Sequence, residues 1–269
     1  MSEPFIIDHA SNLRIGKWEK LSPALTAGFT TRIGGVSPQP YQSLNMGLHV
    51  KDHHNNVIKN REILANTLSF PLSNWIVGEQ VHNTKVKTVT RQDAGSGAIQ
   101  LESSLTGIDG IVSTEEGVLC AAFYADCVPL FFFDPKQHKI GIAHAGWKGS
   151  VHGIAEEMVG KFVNMGTNLT DLLVVIGPCI SRKHYEVDEQ VITHIPDKFF
   201  TNSVDVKGNG YYNLDLKQLN MDILLQSGVL RNNISVTNYC TYQDKELFFS
   251  HRRDNGKTGR MLGFIGFSN

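Results

Sequence analysis

Residues 118–147 read VLCAAFYADCVPLFFFDPKQHKIGIAHAGW, and this stretch decides the class of fold. Two apolar runs, 118–134 and 139–147, flank the polar segment DPKQHK. A run that stays apolar instead of alternating belongs to a strand covered on both faces. The segment between the runs has turn chemistry, so the pair is expected to form a hairpin. That hairpin sets Cys127 and His144 on or near adjacent strands.

Working outward, residues 151–165 predict a helix, with Ile154, Met158, Val159 and Phe162 on one face. LLVVIGP (172–178) reads as another buried strand, stopped by Gly-Pro. Residues 215–227 predict an amphipathic helix capped by Gly228. ISVTNYCT (234–241), ELFFSHRR (246–253) and MLGFIGF (261–267) read as strands. Toward the N-terminus, LTAGFTTR, NWIVGEQVH and KVKTVT are strand-like, and residues 52–70 form a helix with Val57, Leu64 and Leu68 at helical spacing. Strands and helices are interspersed without strict βαβ alternation. The expected class is therefore α+β with layered mixed sheets rather than a doubly wound fold.

Composition narrows the partner. Lys and Arg total 25 against 26 Asp and Glu, so no net field draws the chain to nucleic acid or anionic lipid. No apolar stretch approaches the roughly 18–20 residues of a membrane span. The first twenty residues carry early acidic groups and no long apolar core, so neither a secretory nor a transit signal is read there. Cys120, Cys127, Cys179 and Cys240 show no CxxC pair. They read as reduced thiols, mostly buried, in a cytoplasmic protein whose partner is a small molecule.

The chemistry concentrates at three corners. GEQVH ends at His82, ADC at Cys127, and AHAGW carries His144, each beside Gly, Ala or Pro. A catalytic zinc site wants three protein ligands and one open position, and two imidazoles with a thiolate meet that need. Spacing alone leaves other readings open: ordinary buried histidines, or Cys127 as nucleophile with His144 as base. The run 254–260, DNGKTGR, echoes a P-loop, but the first glycine would fall at His251 and no helix pattern follows. His49, His53 and His54 are expected on a solvated loop ahead of a helix. HExxH and GxSxG are both missing.

An ordered series of motifs then carries a resemblance. TTRIGGVS, SLNMGLHV, GEQVH, DGIVS, ADCVPL, AHAGWKG, IGPCI with HYEV, CTY and FFSHRRDNGKTGRM run from about residue 28 to the C-terminus. Together they closely resemble the YlmD/YfiH family, whose members are named variously as purine nucleoside phosphorylase, laccase-like polyphenol oxidase and peptidoglycan editing factor. The resemblance implies one catalytic domain over residues 1–269, with the first 25 or so peripheral. It also implies a layered fold similar to a toxin deamidase that uses a Cys–His pair.

It further implies that His82, Cys127 and His144 hold zinc, with copper as the alternative. The implied chemistry is phosphorolysis of adenosine, inosine, guanosine and methylthioadenosine, together with deamination of adenosine. Arg32, Asn45, Lys148, Arg252 and Arg253 lie in family motifs and are the expected substrate contacts, the four cations serving phosphate. Asp126 and Asp109 are expected to transfer a proton or orient a ligand, either alternatively capping a turn, Asp109 above all. A blue-copper oxidase needs several copper centres and paired histidines, and the eleven histidines here contain no His-X-His. The competing readings are a Cys127–His144 thiol hydrolase or amidase in peptidoglycan precursor editing, a copper-dependent, laccase-like polyphenol oxidase, and a binding protein with no chemistry of its own.

Overall fold

The apolar run 118–134 breaks at residues 125–127, and that break organises the computed structural model, which describes residues 2–269. In chain order the strands and helices are β1 (Ile6–His9), β2 (Asn12–Arg14), α1 (Gly16–Leu21), β3 (Leu25–Thr30), α2 (His54–Leu68), β4 (Trp75–Val77), β5 (Val86–Val89) and β6 (Gly110–Ser113). The two halves of the run are β7 (Leu119–Tyr124) and β8 (Val128–Asp134), and β9 (Lys139–Ala145) returns beside β8. Then come α3 (Trp147–Val151), α4 (Ile154–Asn164), β10 (Leu173–Ile176), β11 (Glu186–Asp188), α5 (Glu189–Ile192) and α6 (Asp197–Ser203). The chain ends with β12 (Val204–Gly208), β13 (Tyr211–Leu214), α7 (Leu216–Gln226), β14 (Ile234–Val236) and β15 (Met261–Phe267).

The break passes the chain from one sheet to another. β7 lies in a sheet ordered β1-β2-β3-β15-β7-β4, and β8 in one ordered β14-β10-β8-β9-β6-β5. Both are mixed, with parallel pairs β4–β7, β5–β6 and β10–β14 among antiparallel neighbours. A small sheet, β11-β13-β12, stands apart. The α+β class with layered mixed sheets is therefore what the chain adopts.

Alternation within the apolar strands explains why they look apolar throughout. In β8, Phe131 and Phe133 join a core that also takes Cys120, Tyr124, Met261 and Ile265 from the other sheet. Leu130 and Phe132 point the opposite way, into a core shared with Met158 and Phe162 of α4 and Leu219 and Leu224 of α7. On the far side of the first sheet, Leu119, Ala121 and Phe123 of β7 meet Leu64, Ala65 and Leu68 of α2. The layers are thus helix, sheet, sheet, helix, and each central strand has apolar cover on both faces.

Three expectations are corrected. The helix read over 151–165 starts three residues later, as α4 from Ile154, because Gly153 takes φ +92°, a left-handed turn that separates it from the short α3. ELFFSHRR is not a strand. Phe248 and Phe249 are consecutive and both fully buried. The backbone around them turns on Asp244, whose carbonyl accepts from the N–H groups of Leu247 and Phe248, while Asp254 N–H bonds the Ser250 carbonyl. Side chains of Asp244 and Asp254 add bonds to this backbone and favour turns over a ladder. The N-terminal segment is peripheral only in β1, an exposed edge strand, since Phe5, Leu13, Ile15 and Trp18 enter the inter-sheet core. No helix among the described residues is long and apolar enough to cross a membrane.

Candidate metal and substrate site

The hairpin β8–β9 holds the register Val128 opposite Ala145 and Pro129 opposite His144. Cys127 therefore stands just before one strand where His144 is the penultimate residue of the other. His82 arrives from the loop after β4. The nearest ligand atoms of the three lie within 4.8 Å of one another, the one such His/Cys/Asp/Glu group among the described residues. The rings of His82 and His144 meet edge to face, 4.7 Å between centroids. His144 is buried, Cys127 half-buried and His82 exposed.

Asp109, immediately before β6, fixes two of these residues together. Its Oδ1 pairs with His144 Nδ1 at 2.8 Å. The same carboxylate accepts backbone N–H bonds from Val81, His82 and Asn83 at 3.0, 3.1 and 3.0 Å. It thus both caps the turn and orients the ligand, so the two readings of Asp109 coincide. Burial would raise its pKa, but the bond from His144 and the backbone N–H groups hold it below the usual carboxylate value.

Electrostatics couple the cluster. Burial would raise the Cys127 thiol, yet the imidazoles of His144 and His82 bring it down to about 6. Burial would likewise depress His144, but the Cys127 thiolate and Asp109 lift it to about 9. Without a metal, Cys127 and His144 therefore form a thiolate–imidazolium pair. The backbone around them is strained: His82 takes φ +62°, Asp126 φ +86° and Gln80 φ +56°. Such values persist where surrounding contacts enforce them. Gln80 is held by paired amide bonds to the backbone of Phe123, at 2.9 and 2.7 Å.

The cluster forms the floor of a cavity of about 590 Å³, within the range of small-molecule sites. Of the expected substrate contacts, Lys148 and Arg252 line it. Arg32, Asn45 and Arg253 do not. Arg32 donates to the carbonyls of Gln42 and Lys245. Asn45 bonds Asp52 and the backbone of Gly47 and Arg260. Arg253 holds the carbonyls of Thr241, Tyr242 and Phe248 and pairs with Asp254. These three shape the loops behind the rim.

Asp126 does line the cavity. Its Oδ1 accepts from Thr241 Oγ1 at 2.6 Å, and its Oδ2 from Ser250 Oγ at 3.0 Å and the Arg252 N–H at 2.7 Å. Both oxygens are committed to the loops that carry the rim.

Sequence reading missed His49, Gln80, Tyr185 and Arg260 on the cavity wall. His49, expected on a solvated loop, keeps an exposed edge but turns its ring toward Phe123, 5.8 Å between centroids. Local desolvation, then the charges of Arg260 and Arg61, push its pKa to about 4. Position within the motifs SLNMGLHV, GEQVH, HYEV and NGKTGRM was the available signal. His53 and His54 remain exposed at the start of α2, as expected.

The family described as multi-copper polyphenol oxidoreductase laccase matches residues 26–268. Purine nucleoside phosphorylase YlmD of Bacillus subtilis is 44% identical, over 98% of this chain and 97% of that protein. The same-named protein of Geobacillus stearothermophilus is 44% identical over 89% of each. Crystal structures of the Geobacillus protein and of the Bacillus licheniformis hypothetical protein YfiH each superimpose with a TM-score of 0.95 at 41% identity. They cover 100% and 99% of this chain respectively and all of the matched chains. The chain belongs to the multi-copper polyphenol oxidoreductase laccase family, among relatives of the YlmD and YfiH type.

Proposed function

We propose that this protein is a cytoplasmic, zinc-dependent purine nucleoside phosphorylase that also deaminates adenosine. One observation carries the reading: three clustered metal-ligand side chains floor a cavity whose rim bears Lys148, Arg252 and Arg260. The donors fit a zinc ion. Two imidazoles and a thiolate are its usual ligands, and Asp109 behind His144 is the supporting carboxylate such a ligand needs. Gly146 keeps the cradle open, since a Cβ there would lie 3.0 Å from His82 Cδ2 and 3.1 Å from Cys127 Sγ. When bound, the ion supplies Lewis acidity at the cavity floor.

The remaining tasks fall to the chain. In phosphorolysis a phosphate oxygen attacks C1′ of the ribose. The C1′–N9 bond breaks, its electron pair leaves on the purine, and the purine takes up a proton. Ribose 1-phosphate and free base result. In deamination, water replaces the amino group of adenosine and ammonia leaves. Lys148, Arg252 and Arg260 supply the cationic donors that gather phosphate and meet developing negative charge. Asp126 braces the loop that presents Arg252 and is a positioning residue.

The oxidase name in the family description asks for several copper centres, and one donor cluster supports a single ion. Copper is the alternative occupant, bound more tightly than zinc by such ligands. A second reading has its own observation: Cys127, His144 and Asp109 form a connected thiolate–imidazolium–carboxylate series, as a thiol hydrolase or amidase requires. The second imidazole of His82 beside the same thiol favours the metal.

The test is to purify the protein without added metal, measure zinc and copper per chain, and incubate it with adenosine with and without phosphate. About one zinc per chain, with phosphate-dependent adenine release and some inosine, is expected. Cys127→Ala should lose both metal and turnover while staying folded; retained turnover would remove the metal from the reaction. A metal-free, inactive protein would transfer the reading to the thiol hydrolase.

A further inference from the structure

Beside the main cavity opens a second hollow of about 310 Å³, and Trp147, Tyr185 and Arg252 line both. Two aromatic side chains and a guanidinium therefore border both spaces. Arg252 lies over the Tyr185 ring, its Cζ 5.1 Å from the centroid, and donates to the Glu186 carbonyl at 2.6 Å. Trp147 is held edge-on by His194, 5.6 Å between centroids. The Tyr185 hydroxyl has no hydrogen-bond partner among the described residues. Burial pushes its pKa well above the ordinary phenol value, so it stays a donor.

This combination suits one chemical class. Aromatic side chains bordering a cavity offer a flat ring a stacking surface, and every nucleobase has such a ring. Ribose and phosphate are suited to the metal-ligating end of the cavity, with Arg252 and Lys148, which adjoin Tyr185 and Trp147, standing between base and phosphate.

We propose that the purine base of the substrate seats where the two spaces adjoin, stacked on Trp147 and packed against Tyr185, with the Tyr185 hydroxyl donating to a ring nitrogen. The inference rests on the phosphorylase reading and adds where the base lies. A donor aimed at the leaving base binds it more strongly as the C1′–N9 bond breaks and the electron pair moves onto the ring.

The experiment uses tryptophan fluorescence. Trp18 and Trp75 are 5% and 0% exposed, which leaves Trp147 as the indole that a ligand can reach. Adenosine should quench the folded protein, and Trp147→Phe should remove the quench. Tyr185→Ala should weaken adenosine binding about tenfold or more and raise KM rather than merely lower kcat. Tyr185→Phe should bind nearly as well as the parent yet lose about tenfold in kcat.

Unchanged adenosine affinity and KM in Tyr185→Ala, with the parent enzyme active, would overturn the base subsite and leave the phosphorylase standing. No adenine release by the zinc-loaded parent would instead sink the phosphorylase. In that case a quench abolished by Tyr185→Ala still supports the subsite, and no quench at all overturns it.

Discussion

The floor of the cavity and its rim are held by different means. Cys127 and His144 stand at the ends of β8 and β9, whose register runs unbroken from Val128 opposite Ala145 to Asp134 opposite Lys139. Behind them Asp109 is 2% exposed and bonded on every side. The rim comes from loops and short turns: Tyr185 after a 3₁₀ turn, Arg252 and Arg260 from the segment between β14 and β15. No ladder holds that segment, and side chains substitute for one. Asp126 ties Thr241, Ser250 and Arg252, while Arg253 gathers three carbonyls. Damage to the floor should therefore appear as lost metal, and damage to the rim as lost substrate affinity.

Asp109→Asn is the strongest test of that division. The amide keeps the shape but removes the charge that orients His144 and accepts three backbone N–H groups. Metal affinity should fall about 10- to 100-fold and turnover with it, since outer carboxylates tune their histidine ligands by that amount. Thermal denaturation should register about 1–3 kcal/mol for the weakened buried bonds.

The metal-free protein offers a pH readout of the same change. The Cys127 thiolate is the reactive form, and its pKa is lowered to about 6. Alkylation should therefore rise as pH climbs through about 6, well below an ordinary thiol. Asp109 helps raise His144, so Asp109→Asn makes His144 a weaker cation and moves the alkylation midpoint upward. Unchanged metal content and an unmoved midpoint would show that the floor does not depend on Asp109.

Asp126→Asn asks whether floor and rim are separable at adjacent residues. Asp126 touches Cys127 through one peptide bond but spends its carboxylate on the rim. The amide loses charge-assisted bonds to Ser250 and the Arg252 N–H, so the phosphate KM should rise on the order of tenfold with zinc retained. Zinc lost together with phosphate affinity would mean that the two regions act as one unit.

The same division governs what the sequence discloses. The floor is legible because rigid, apolar strands announce themselves by composition: VPLFFFD and KIGIAHA can only be covered strands. Their ends then place Cys127 and His144 together. His82 is legible only as a histidine at a corner, and the resemblance raises it above an ordinary surface residue, because its loop has no periodicity to read. The break at residues 125–127 was invisible because Tyr124 and Val128 are equally apolar, and only the change of sheet separates them. The rim was misjudged more often. Arg253 sits beside Arg252 in one motif, and Arg32 and Asn45 lie in motifs of the same series as that of Lys148; no local pattern distinguishes a polar side chain facing a ligand from one satisfying carbonyls. Phe248 and Phe249 show the same limit in the core: apolar strength is legible, but the turns imposed by Asp244 and Asp254 arise from contacts made only after folding.

Lys148→Ala should give the smallest effect and the sharpest discrimination. Lys148 is exposed in the first turn of α3, and its Nζ lies 5.6 Å from the centroid of the Trp147 ring. An exposed cation is well hydrated and screened, so its contribution to phosphate binding is limited to about 1 kcal/mol, or roughly fivefold in the phosphate KM. That increment should shrink further as salt is raised, because counterions screen an open charge more than a buried one. Zinc content and adenosine quenching should stay at parental levels. Lys148 is four residues from His144, so sequence proximity alone would predict a loss of metal. A phosphate effect without that loss would show that the wall at which a side chain ends, rather than its distance along the chain from a ligand, decides its role.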